Sequence, residues 1–217
     1  NISHDLRTPL TSISGYLELI GEEELSQEQK ENLDVVQRRT AYLNQLIAQL
    51  YEYSRLENRE FPLKQERLDI THLFKEHILA SYGEFEKAGL KLTLRLTDEP
   101  LWISADENGL LRIFHNLTSN CLKYGQKEAS ISLECTAGQA VLTFRNPAEG
   151  FTEKDAEQIF HRFYRKDASR NAQGSGLGMS VAKLLSEQMG GRLDAQLEEG
   201  MLAIRLLLPC ADKSADT

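Results

Sequence analysis

The first sixty residues repeat apolar side chains at steps of three and four. Ile2, Leu6, Leu10, Ile13, Leu17 and Ile20 make one stripe, as on the buried face of an amphipathic helix. Gly21-Glu22-Glu23-Glu24 interrupts the stripe, and Ser26 is placed to cap a second helix. Leu33, Val36, Thr40, Leu43, Ile47 and Leu50 carry a second stripe, widened by Val35, Tyr42, Leu46 and Tyr53. Two long helices with a short connection predict an antiparallel hairpin over residues 1–58. Its apolar face is too wide for one hairpin to bury, which predicts a homodimer through residues 1–58 closing a four-helix bundle.

Near Glu57 the helical period stops, Pro62 appears, and residues 59–68 read as a linker with a first strand. Residues 69–210 predict an α+β domain. Ile70 to Ala88 is helical in period, Leu90, Leu92, Leu94 and Leu96 alternate as in a strand, and Leu101 to Ala105 predicts a short strand. A helix from Asp106 to Tyr124 precedes a hairpin of Ala129 to Cys135 and Ala140 to Asn146 around Gly138. A helix from Thr152 to Phe163, a polar glycine-containing loop, a helix from Leu177 to Met189 and two last strands complete the pattern. The polar tail 211–217 predicts disorder.

Composition adds exclusions. The 217 residues are 41% apolar and 27% charged, enough for one large or two small soluble domains. A net charge of −8 with no basic stripe argues against nucleic acid as a partner. Cys121, Cys135 and Cys210 are odd in number and lack metal-ligand spacing, which predicts reduced thiols of a cytosolic compartment. No apolar run approaches the ~20 residues of a membrane-spanning helix. The chain opens inside a helical pattern, which predicts an upstream segment where any membrane span would lie.

Three stretches carry chemistry. His4 lies one helical turn before Thr8, with Asp5 beside it and Pro9 removing a backbone donor from the same helix. A neutral imidazole accepts phosphoryl groups, and an adjacent acid can take its proton or fix its tautomer. Asn116 and Asn120 stand one turn apart on one helix face, and two carboxamide oxygens suit a Mg²⁺ that draws its other ligands from water and phosphate. Lys123, near that face, is placed to meet phosphate charge. Gly174-Ser175-Gly176-Leu177-Gly178 precedes an apolar helix, so backbone N–H groups and the helix N-terminus face an anion. His72, His77, His115 and His161 share no metal spacing and are assigned no role.

These stretches resemble, in order, boxes of the bacterial sensor histidine kinases. His4-Asp5-Leu6-Arg7-Thr8-Pro9-Leu10 resembles the H-box, His115 to Tyr124 the N-box, Phe160-His161-Arg162-Phe163-Tyr164-Arg165 the F-box, and Gly174 to Gly178 the G2 box. The resemblance implies that His4 accepts the phosphoryl group, Asp5 assists as acid or base, and Thr8 positions water for dephosphorylating a response regulator. It implies that Asn116 and Asn120 hold Mg²⁺. Lys123, Tyr124, Asn146, Arg162, Arg165, Gly174, Gly176, Leu177 and Gly178 are implied to line the ATP site, under a lid formed by the segment before the G2 box. Phe160 and Phe163 are expected to pack the base of that lid. The implied fold is the α+β sandwich shared with type II topoisomerases, mismatch-repair ATPases and a heat-shock chaperone family. The implied location is the cytoplasmic portion of a membrane sensor.

One box departs from the pattern. The family's Asp-x-Gly-x-Gly falls on Asn146-Pro147-Ala148-Glu149-Gly150, so an Asn stands for the Asp that accepts the adenine amino hydrogen. A neutral acceptor makes a weaker bond by about 1 kcal/mol, and Pro147 and Ala148 stiffen the turn. The expected activity is ATP-dependent autophosphorylation of His4 followed by transfer to an aspartate of a receiver domain, with regulator phosphatase activity beside it. The alternative is an ATP-binding scaffold or pseudokinase that recruits a regulator without efficient turnover.

Overall fold

The computed structural model describes residues 2–60, 62–166 and 175–211, with side chains from Thr8 onward. The expected disorder of the tail and most of the expected lid fall outside these residues. The chain divides at residue 60 into two compact units. The first is a helical hairpin, α1 (Ile2–Gly21) and α2 (Gln27–Glu57). Helix α1 runs unbroken through Pro9, which costs it one backbone donor. Ser26 caps α2 reciprocally: its Oγ accepts from Gln29 N at 3.3 Å, and Gln29 Oε1 accepts from Ser26 N at 2.8 Å. Ser26→Ala is therefore expected to destabilise the hairpin by about 1 kcal/mol, read as a lower denaturation midpoint.

Gln37 Nε2 donates to Leu17 O at 3.2 Å and Asn44 Nδ2 to Ser14 Oγ at 3.3 Å, so the helices run antiparallel. Packing within one hairpin buries Leu10, Thr40 and Tyr53. Ile13, Ile20, Val36, Leu43 and Leu50 remain 41–45% exposed along the same stripe. A single hairpin leaves most of its apolar face uncovered, as its width implied.

The second unit is an α/β sandwich. Strand β1 (Glu66–Asp69) pairs antiparallel with β3 (Trp102–Ala105), so this strand belongs to the sandwich rather than to a free linker. The main sheet has the order β2-β4-β5-β7-β6. Its members are β2 (Lys91–Leu96), β4 (Glu128–Thr136), β5 (Gln139–Pro147), β6 (Arg192–Glu198) and β7 (Met201–Pro209). The β2–β4 pair is parallel and the other three are antiparallel. Helices α3 (Ile70–Lys87), α4 (Glu107–Tyr124) and α6 (Gly178–Gln188) supply the other layer.

Alternation decides which sheet face the helices cover. On β5, Ala140, Leu142, Phe144 and Asn146 are buried; on β7, Leu202, Ile204, Leu206 and Leu208 are. Phe74 of α3 meets Phe114 of α4 edge-on at 5.0 Å and Phe144 of β5 at 6.0 Å, locking both helices to the sheet. His77 lies in this core, against Phe74 and Phe114, with Nε2 3.0 Å from Thr118 Oγ1. Burial, aided by His115, holds its pKa below the ordinary value. Its place is structural.

The expected helix from Thr152 to Phe163 is shorter. Helix α5 spans Glu153–Gln158, and the chain then turns, with His161 N donating to Gln158 O and Tyr164 N to His161 O. Phe163 has φ +62°, a conformation that ends any helix of L-residues.

Candidate functional site

Helix α4 begins on Asp106, whose Oδ1 accepts from Gly109 N at 2.7 Å and whose Oδ2 accepts from Lys64 N at 2.9 Å. This start fixes the rotation of the helix. Leu110, Ile113, Phe114 and Leu117 enter the core, and Thr118 meets His77 of α3. Asn116 and Asn120 lie along another line of the helix, one turn apart. Asn120 is 8% exposed, yet among the described residues neither carboxamide makes a hydrogen bond. Asn116 is half-buried, and the polar atoms of both amides reach solvent, where their bonding capacity is open. Lys123 and Tyr124 are exposed in the last turn of α4.

Helix α4 packs against both α6 and β5. At the start of α6, Gly178 lies so close to Asn116 that a Cβ there would stand 2.7 Å from Asn116 Oδ1. The glycine-rich segment and the asparagine helix thus meet at this contact. Leu177 precedes α6 with no side-chain cap, and the first turn holds no acidic residue. Its N–H groups and the helix dipole therefore favour an anion. Leu177 itself is fully buried and anchors the turn from below. Gly176 has φ +70°, and a Cβ on it would come within 2.8 Å of the Phe163 backbone, whose N–H donates to Gly176 O at 3.0 Å. Ser175 Oγ accepts from Leu177 N at 3.2 Å. Gly174, also expected in the site, lies outside the described residues.

Asn146 is the penultimate residue of β5, on its helix-facing side and 2% exposed. Its Nδ2 donates to Pro147 O at 3.0 Å, which leaves Oδ1 as the acceptor for a ligand. Beyond it, Phe151 N donates to Ala148 O at 3.0 Å and Gly150 has φ +70°, closing a tight turn. The left-handed conformation falls on Gly150, where glycine is present. Ala148 needs no such freedom, so its replacement of the first family glycine does not strain the turn.

Phe160 is buried beneath Lys183, whose Nζ is 5.4 Å from its ring. Phe163 does not pack as expected. It is 53% exposed, with a positive φ and its backbone bound to Gly176. Arg162 is exposed and Arg165 half-buried on the same segment.

A cluster that sequence reasoning missed holds this segment to the Gly150 turn. Tyr164 Oη donates to Asp155 Oδ1 at 2.6 Å, and Lys166 Nζ donates to Asp155 Oδ2 at 2.9 Å. Thr152 adds its N–H at 2.7 Å and its hydroxyl at 2.8 Å. Lys166 also donates to Gly150 O and sits 4.5 Å from the Phe151 ring centroid. The hydrogen bonds from Tyr164, then Lys166 and Thr152, hold the Asp155 carboxyl well below the usual carboxylate range. Burial, with Asp155 beside it, pushes the Tyr164 hydroxyl up to about 12. The Thr152-x-x-Asp155 capping box was the available signal.

In the hairpin, His4, Asp5 and Thr8 fall on α1, with Thr8 exposed one turn beyond His4. The side chains of His4 and Asp5 lie outside the described residues. Among the described residues no group of three His, Cys, Asp or Glu could hold a metal ion, and no helix is long and apolar enough to cross a membrane.

Residues 1–59 match the family profile of the His Kinase A (phospho-acceptor) domain. Residues 105–212 match that of the histidine kinase-, DNA gyrase B- and HSP90-like ATPase. Sensor histidine kinase YcbM of Bacillus subtilis is 33% identical over 202 residues, 90% of this chain and 65% of its own length. Sensor protein SrrB of Staphylococcus aureus is 29% identical over 206 residues, 92% of this chain and 35% of its own. The chain thus spans about two thirds and about one third of these relatives. Among solved structures, full-length ShkA in complex with AMPPNP shares the fold with a TM-score of 0.79 at 22% identity, over 99% of this chain and 46% of that one. Histidine kinase AdeS of Acinetobacter baumannii does so with a TM-score of 0.67 at 20% identity, over 96% and 98%. With both domain profiles matched in this order over a hairpin and an α/β sandwich, the chain belongs to the bacterial two-component sensor histidine kinases.

Proposed function

We propose that the sandwich binds ATP, that the γ-phosphoryl group passes to His4, and that phospho-His4 donates it to an aspartate of a response-regulator receiver domain. The observation that carries this reading is the meeting of Asn116 with Gly178, with Asn120 one turn along the same helix. One unpartnered carboxamide lies beside an uncapped helix N-terminus and a second stands one turn along α4, so a nucleotide phosphate and its counter-ion would find donors and acceptors there. Asn146 Oδ1 receives the adenine amino hydrogen. Backbone N–H groups from Gly174 to Gly178 donate to phosphate oxygens, and Lys123, Tyr124, Arg162 and Arg165 flank them.

The carboxamides of Asn116 and Asn120 fit Mg²⁺, a hard cation that takes few protein ligands; when bound, it would neutralise phosphate charge. In the transfer, a ring nitrogen of neutral His4 attacks the γ-phosphorus while the bond to the β-phosphate oxygen breaks, leaving ADP. Asp5 takes or orients the proton on the other ring nitrogen. The P–N bond then yields to a carboxylate oxygen of the receiver aspartate. In the reverse direction Thr8 orients the water that hydrolyses the regulator's acyl phosphate. Nothing among the described residues favours a scaffold without turnover.

Isothermal titration of ATP with Mg²⁺ and with EDTA tests the binding half. Saturable binding that weakens at least tenfold in EDTA is expected; no binding in either buffer contradicts it. Asn146→Asp is expected to bind ATP about fivefold tighter, from a charged acceptor worth about 1 kcal/mol more. It is also expected to melt lower, because a buried carboxylate loses the bond to Pro147 O. Equal affinities would remove Asn146 from the adenine contact.

The exposed stripe of Ile13, Val36, Leu43 and Leu50 supports a homodimer with a four-helix bundle. Leu43→Arg is expected to shift the native dimer to monomer in analytical ultracentrifugation, lowering affinity at least a hundredfold through a buried unpaired charge. Kinship with sensor proteins supports a place for this core on the cytoplasmic side of a membrane sensor.

A further inference from the structure

Two of the three cysteines meet at the end of the sandwich away from Asn146. Cys135 is the penultimate residue of β4, and Cys210 directly follows β7. Cys210 N donates to Gly138 O at 2.9 Å in the β4–β5 turn, and the residue also bridges to Ile103. Strand β5 runs between β4 and β7, yet the two sulfurs stand 3.8 Å apart. Ala140 explains the approach. It pairs with Cys135 on one side and with Leu208 on the other, and its methyl leaves room for two thiols to meet above the strand.

We propose that Cys135 and Cys210 are a redox-active dithiol, oxidised by a peroxide to an intramolecular disulfide and restored by a thiol reductant. Their sulfurs are in van der Waals contact and need to close by about 1.8 Å to reach bonding distance, about 2.05 Å. Because β5 lies between their strands, the two backbones are roughly 10 Å apart, beyond the usual span of a disulfide, so closure also requires the ends of β4 and β7, where both cysteines lie, to draw together. Cys135 is exposed and meets the oxidant first. Its thiolate attacks one peroxide oxygen, the O–O bond breaks, and a proton completes the departing water, leaving a sulfenic acid. Cys210 sulfur then attacks the Cys135 sulfur, expelling the hydroxyl as a second water with the thiol proton. Each sulfur gives up one electron and the peroxide takes two. Burial, then Cys135 itself, pushes the Cys210 thiol up to about 11, which suits it to the second step rather than the first.

Cys121 is the internal control. It is buried in α4, its thiol is pushed up to about 12 by burial, and it pairs with neither of the other cysteines. In a reducing compartment such a pair is oxidised transiently, the usual role of a cytosolic disulfide. The link closes a 75-residue separation and ties β4 to the last strand. It lies six residues along β5 from Asn146, roughly 20 Å, and does not depend on the kinase reading.

The test is treatment of the full reduced chain with hydrogen peroxide, followed by non-reducing peptide mapping. Expected are one linked peptide pair holding Cys135 and Cys210, a fall from three titratable thiols to one in denaturant, and an intact Cys121. Oxidation should raise Tm by several degrees, reversed by dithiothreitol. Cys135→Ser and Cys210→Ser should each abolish the linked pair while keeping the reduced chain's Tm. Survival of all three thiols, links only between separate copies, or Cys135 carried to the sulfinic acid with Cys210 still a thiol would each overturn the proposal.

Discussion

A chain carrying His4→Gln is expected to bind ATP as the native chain does and to take up no acid-labile phosphoryl group. Glutamine keeps the polarity and helical propensity of the position but offers no nucleophilic ring nitrogen. The sandwich is a compact unit with its own core, and the residues proposed to hold ATP all belong to it. The loss should therefore be complete in label and absent in nucleotide affinity. A His4→Gln chain that still labels would move the acceptor elsewhere.

The second large effect concerns Asn120. Asn120→Ala is expected to weaken binding of ATP with Mg²⁺ by tenfold to about a hundredfold, the worth of one or two strong polar contacts, while leaving Tm unchanged or higher. The opposite signs stem from one observation: the Asn120 carboxamide has no protein partner among the described residues, so its removal strands nothing. A structural asparagine would show the reverse, lower Tm with intact binding. Gly178→Ala should copy the binding defect, because its new Cβ displaces the Asn116 carboxamide, the far end of a movable side chain. Gly176→Ala differs in kind. There the clash is with the Phe163 backbone and the φ is positive, so the domain itself should lose stability.

Much of this is legible in the sequence because it is local. The capping of α2 follows from Ser26 and Gln29, and the shared face of Asn116 and Asn120 from their four-residue spacing. Periodicity overextends helix α5, because the spacing of Phe160 and Phe163 does not reveal that Gly176 draws the Phe163 backbone into a positive φ. The Tyr164 and Lys166 contacts with Asp155 are hidden for the same reason: the capping box is local, but its two further partners arrive from a turn nine and eleven residues on. Ala148 reads as restrictive in the linear pattern, and the structure puts the conformational demand on Gly150 instead. The Cys135–Cys210 pair is 75 residues apart in sequence and exists only through the strand order.

Phosphorylation of one hairpin histidine by the nucleotide that the sandwich binds is read most directly by mass spectrometry. The native full chain is incubated with ATP and Mg²⁺, and its phosphorylation sites are mapped at alkaline pH. Expected is a phosphohistidine on the N-terminal peptide at His4, labile in acid, stable in base, and removed by adding an unphosphorylated cognate receiver domain. An unphosphorylated His4 under conditions where ATP is bound, or a phosphoryl group confined to another residue, would contradict it.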